Sequence, residues 1–145
     1  MHTENRTEKA ATNRPKIMVV DDDPDLRHAL NVRLRANHYE IVNASDGFSA
    51  LALAQKEHPN LIILDLGLPA GDGFLVLRNL KTFPSLALTP VIVLTARDPQ
   101  ANAQRTLNSG AIAFFQKPAD NNELLSVIRM SLEAASSPAT PRLPA

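Results

Sequence analysis

The feature that most narrows the possible folds is an alternation repeated five times along the chain. Short apolar runs at residues 17–20 (IMVV), 41–44 (IVNA), 61–64 (LIIL), 91–94 (VIVL) and 112–115 (IAFF) are separated by longer stretches of helical periodicity. Such runs are too short for helices, and most are apolar at consecutive positions, as strands covered on both faces are. Strands alternating with helices predict an α/β fold with a parallel sheet and helices on both faces. The segment Tyr39-Glu40-Ile41-Val42-Asn43 mixes polarity, which puts the second strand at an edge.

Helix start signals agree with this division. Asp23-Pro24 and Asp98-Pro99 each place a side-chain acceptor at the cap and a proline in the first turn. Asp120 followed by Glu123 has the spacing of a capping box. The first helix, from Pro24 to about Asn37, sets Leu26, Ala29, Leu30 and Leu34 on one stripe and Arg27, Asn31 and Arg35 elsewhere. The last, from about Asn121 to Ala135, presents Leu124, Leu125, Ile128 and Leu132 in the same way. Residues 1–14 lack hydrophobic periodicity and read as a disordered extension, and residues 136–145 (SSPATPRLPA) as a proline-rich tail. A single domain is therefore expected over residues 15–135.

Composition removes several classes of function. The chain has no cysteine, so a disulfide framework, thiolate metal sites and a thiol nucleophile are all excluded. No apolar run approaches the length of a membrane span, and the polar N-terminus has no secretory character. A cytoplasmic protein is expected. Fifteen basic and fifteen acidic residues balance, so no net field draws the chain to nucleic acid or lipid.

Residues with chemical potential follow the strands. Asp21, Asp22 and Asp23 come after the first, Asp65 after the third, Thr95 after the fourth and Lys117-Pro118 after the fifth. In a doubly wound sheet these carboxyl ends share one rim, with a ligand crevice where the strand order reverses. Three carboxylates held there repel one another, and a hard divalent cation relieves the repulsion. Mg²⁺ favours one or two carboxylates together with water and phosphate oxygens. Thr95 can donate a hydroxyl hydrogen bond and Lys117 a mobile charge to a phosphoryl group, and Asp65 is the natural nucleophile for an aspartyl phosphate. Asp23 reads as a helix cap alone, and Asp72-Gly73 as the turn into the third helix. His2, His28, His38 and His58 lack metal-ligand spacing.

The fragments VVDDDPDLR (19–27), LIILDLGLPAGDGF (61–74), VIVLTA (91–96) and FFQKP (114–118), in this order and spacing, resemble the receiver domains of two-component response regulators. The resemblance implies a flavodoxin-like, CheY-like sheet of strand order 2-1-3-4-5. It implies Asp65 as phosphoacceptor, and Mg²⁺, with Mn²⁺ as the alternative, on Asp21, Asp22, Asp65 and the backbone carbonyl of Gly67. It further implies Thr95 and Phe114 as switch residues and a cis Lys117–Pro118 peptide. Phe114 fits a plain core position equally well. The implied partners are a sensor histidine kinase or histidine phosphotransfer protein, and a downstream protein bound through the fourth helix, fifth strand and fifth helix. Residues two after the phosphoacceptor and two after the threonine, here Gly67 and Arg97, tune hydrolysis in that family.

Departures from the family pattern are specific. Ala119 replaces a frequent phenylalanine, and Gly71 a common methionine. His38 stands where glycine often ends the first helix, so Asn37 or His38 is expected to be left-handed. Ile112-Ala113 replaces the acidic residues of the winged-helix regulators' dimer surface, so a monomer or weak dimer is expected, with no direct contact to nucleic acid. Ten residues follow Ala135, which leaves no effector domain in this chain, whether it stands alone or belongs to something longer. Two rival readings make different demands on the same residues. A constitutive docking domain would not need Asp65, and a hydrolase of the dehalogenase type would need a second acid where Gly67 stands.

Overall fold

The computed structural model describes residues 13–69 and 72–136. The expected N-terminal extension (all but residues 13 and 14), the residues after Ser136 and Gly71 lie outside the described residues. Ten elements alternate along the chain: β1 (Lys16–Val20), α1 (Pro24–Ala36), β2 (Glu40–Ala44), α2 (Gly47–Glu57), β3 (Leu61–Leu64), α3 (Gly73–Thr82), β4 (Val91–Thr95), α4 (Pro99–Asn108), β5 (Ala113–Gln116) and α5 (Asn121–Ser136). The sheet is parallel throughout, in the order β2-β1-β3-β4-β5, so β2 is an edge as its mixed polarity foretold.

Two apolar layers hold the sheet. Met18, Val20, Ile62, Leu64, Val91 and Val93 face α2 and α3, where they meet Ala50, Ala54, Phe74, Leu77 and Leu80. Ile17, Val19, Leu61, Ile63, Ile92 and Leu94 face the other way, onto Leu30 and Leu34 of α1 and Leu124 and Ile128 of α5. Consecutive residues of the inner strands are thus buried in opposite layers, which is why those strands carry no polar alternation. Fully burying one such Val, Leu or Ile is worth about 1.5–3 kcal/mol.

The caps form where the sequence places them. Asp23 accepts from the N–H groups of Asp25 and Leu26, Asp98 from that of Gln100, and Asp120 from those of Asn122 and Glu123. Asp72 caps α3 through the N–H of Phe74 at 3.1 Å, the turn-shaping role its spacing suggested. His38 is left-handed, at φ 69°, in the place where glycine is frequent. His58 adopts the same region at φ 48° as the C-cap of α2, which the sequence did not announce.

Three details differ from the sequence reading. Ala29 is exposed although its spacing puts it on the apolar stripe, because α1 meets the sheet mainly through Leu30 and Leu34. The fifth strand starts at Ala113, and Ile112 precedes it with 47% of its surface exposed. Asn31 is half-buried, with a side-chain oxygen that finds no hydrogen-bond partner.

Candidate functional site

Strand register builds the site. Val20 pairs with Leu64, Leu64 with Val93, and Thr95 with Gln116, so the residues at or just past the strand ends share one rim. Backbone hydrogen bonds continue the ladders beyond the strands: Asp21 N–H to Ala44 at 3.1 Å, Asp65 N–H to Val20 at 3.0 Å and Lys117 N–H to Thr95 at 2.8 Å. These bonds fix the main chain of each acid and of the lysine before any side-chain interaction is counted.

The side chains then converge. Carboxylate oxygens of Asp21, Asp22 and Asp65 lie within 4.8 Å of one another. Asp21 and Asp65 are 2% and 6% exposed, so water screens their repulsion poorly, whereas Asp22 is open to solvent. Lys117 reaches across from the β5 side, with its ammonium 2.8 Å from Asp21 and 3.3 Å from Asp65. Its peptide bond to Pro118 is cis, as the resemblance implies. The Gly67 N–H donates to Asp65 Oδ1 at 3.1 Å. A Cβ at Gly67 would meet that oxygen at 3.8 Å, an ordinary contact distance, so residue 67 borders Asp65 without placing a side chain over it. Thr95 is buried, and its hydroxyl oxygen accepts from the Arg97 N–H at 3.4 Å.

The electrostatics follow from burial and neighbours. Burial pushes the Asp21 carboxyl above its ordinary pKa, opposed by hydrogen bonds from Lys117 and the Asp23 N–H and reinforced by the charge of Asp65. Burial alone would lower Lys117, but its bonds and charge interactions with Asp21 and Asp65 together outweigh that and hold it above the usual lysine value. One ammonium among three carboxylates leaves a net negative site. A compact set of carboxylate oxygens suits a hard divalent cation, so the donors fit Mg²⁺, which would rest on Asp21, Asp22 and Asp65.

The sequence model of the response regulator receiver domain matches residues 17–129. The chain belongs to the response regulator receiver family. It is 40% identical over 114 residues to the response regulator PleD of Caulobacter vibrioides, covering 79% of this chain and 25% of PleD. Among solved structures, it resembles a CheY-like receiver domain from Methanospirillum hungatei with a TM-score of 0.79 and 27% identity, over 85% of this chain and 97% of that one. The receiver domain of a sensor histidine kinase from Pseudomonas aeruginosa, with magnesium coordinated in its active-site cleft, gives a TM-score of 0.76 at 25% identity, over 82% and 98%. The chain spans about half or less of the length of the curated relatives it matches. No helix among the described residues is long and apolar enough to cross a membrane.

Arg27 closes the fragment VVDDDPDLR, yet nothing in the sequence assigned it a place in the site. Placed off the apolar stripe of α1, it turns its guanidinium onto the main-chain carbonyl of Asp21. With the Asp23 N–H on Asp21 Oδ1 at 2.9 Å, the β1–α1 turn is held from both sides. An arginine on a polar helix face carries no signal of such a contact. Phe114 is half-buried against the α2–α3 layer, a position compatible with core packing.

Proposed function

We propose that this receiver domain takes a phosphoryl group onto Asp65 from a sensor histidine kinase or a histidine phosphotransfer protein in the cytoplasm. The observation that carries the reading is the joint placement of Asp21, Asp22 and Asp65 around a space that Lys117 borders. An Asp65 oxygen attacks phosphorus, the P–N bond to the donor imidazole breaks as the O–P bond forms, and the imidazole leaves with the electron pair and takes up a proton. Mg²⁺, or Mn²⁺ in its place, supplies charge neutralisation for the transferring group when bound to the three acids and the Gly67 carbonyl. Lys117 and the Thr95 hydroxyl bind the phosphoryl oxygens, and Thr95 and Phe114 relay the change to the face of α4, β5 and α5. That face receives a downstream protein, with the domain acting as a monomer or weak dimer and making no direct contact with nucleic acid. It is a signalling domain whose only chemistry is its own phosphorylation and dephosphorylation.

Intact-mass measurement after incubation with acetyl phosphate and Mg²⁺ tests this reading. The wild type should gain one phosphoryl group and Asp65→Asn none. No gain, or a gain that survives the substitution, overturns it. If both proteins also bound the downstream partner equally, constitutive docking would be the better description.

The same sample addresses lifetime. Arg97 is exposed at the rim beside Thr95, while Gly67 leaves the other side open. Arg97→Ala should therefore speed loss of the phosphoryl group severalfold by admitting water. An unchanged decay curve refutes the covering role.

A further inference from the structure

Helix α4 is attached unlike its neighbours. Only Thr106 is buried among its ten residues, and that threonine turns its hydroxyl onto the Asn102 carbonyl at 2.7 Å. None of its residues joins either apolar layer among the described residues. The other helices bury Leu30 and Leu34, Ala50 and Ala54, Phe74 through Leu80 at four positions, and Leu124 and Ile128. A helix with so little buried apolar surface sits at the low end of local stability.

Its side-chain hold on α3 is Arg105. The guanidinium lies 3.6 Å from the centroid of the Phe74 ring, which is itself 2% exposed. Arg105 enters no ion pair among the described residues, so its charge is shared between the ring face and water. Phe74 is in turn tied to the phosphoacceptor segment. The N–H of Gly73 donates to the carbonyl of Leu66, the residue after Asp65, at 3.2 Å, and the two backbones are in direct contact. The path from Asp65 to α4 is therefore short and continuous: Leu66, Gly73, Phe74, Arg105.

We propose that Arg105 clamps α4 onto α3 and, through Phe74, ties the seating of α4 to the loop that carries Asp65. Arg105 is a positioning residue, with no contact to the reacting atoms. Its bearing on signalling rests on the receiver reading above, whereas the clamp itself does not.

Hydrogen exchange on the full chain tests the clamp. Arg105→Ala should speed exchange of the α4 amides about fivefold, the equivalent of about 1 kcal/mol, and leave α1 and the inner strands unchanged. Alanine is the better helix former, so faster exchange is not a propensity effect. Arg105→Lys, which keeps a cation, should restore part of the protection. In a Phe74→Leu background, where apolar burial survives without the ring face, Arg105→Ala should add nothing. Exchange within twofold of wild type in Arg105→Ala, or an equal effect with and without the ring, overturns the clamp. Beryllofluoride with Mg²⁺ should alter α4 exchange in the wild type and not in Arg105→Ala; an equal response in both overturns the coupling. If Asp65 is phosphorylated yet Arg105→Ala behaves as wild type, the inference alone fails. If Asp65 takes no phosphoryl group, the receiver reading fails while the clamp is still decided by exchange without beryllofluoride.

Discussion

Gly73→Ala is expected to cost about 3 kcal/mol of stability and to lower the melting temperature by roughly 10 °C. The reason is steric. A Cβ at residue 73 would lie 2.4 Å from Leu66 Cα and 2.7 Å from the Leu66 carbonyl oxygen, both backbone atoms that no rotamer change can move aside. Alanine would gain up to about 1 kcal/mol of helix propensity near the start of α3, which is too little to offset such a clash. The chain must either shift α3 outward, opening the layer that Phe74, Leu77 and Leu80 fill, or shift Leu66 and with it Asp65. Thermal unfolding separates this from a benign change, and a melting point within a degree of wild type would refute the close approach. On the proposed function, phosphorylation by acetyl phosphate should fall as well, because the segment that yields adjoins Asp65.

That contact also marks the limit of what the sequence discloses. The five strands, their parallel run and the rim at which Asp21, Asp22, Asp65, Thr95 and Lys117 stand were legible from local signals, namely apolar runs, caps and chemical residues directly after strands, whereas the strand order came from the family resemblance. Asp72-Gly73 was legible as a turn, but turn chemistry says nothing about which backbone the glycine must approach. Arg27 on Asp21 and Arg105 over Phe74 were equally hidden. Both are exposed-face arginines by periodicity, and their partners lie on other elements. The start of β5 slipped by one residue because Ile112 is as apolar as a strand residue and its N–H donates to the Val91 carbonyl at 2.9 Å, yet the strand itself begins at Ala113 and Ile112 is 47% exposed. Ala29 failed for the converse reason: it has helical spacing but no facing partner in either layer.

Lys117→Ala should move two properties in opposite directions. Its ammonium lies between Asp21 and Asp65, lowering the negative potential that a cation would meet. Removing it leaves two nearly buried carboxylates without their counter-charge, so Mg²⁺ should bind severalfold tighter, and Mg²⁺ should raise the melting temperature of the variant more than that of the wild type. Phosphoryl transfer needs that same positive charge on the transferring group, and losing one such stabilising group typically costs about 10²–10³ in rate. Calorimetric Mg²⁺ titration and initial phosphorylation rates on one preparation give both numbers. A purely structural lysine would weaken both together, because a collapsed rim holds neither cation nor phosphoryl group. A lysine that only served the metal would alter Mg²⁺ affinity and leave the rate at saturating Mg²⁺ intact. Tighter metal with slower transfer is the one combination that requires Lys117 to act on the phosphoryl group itself.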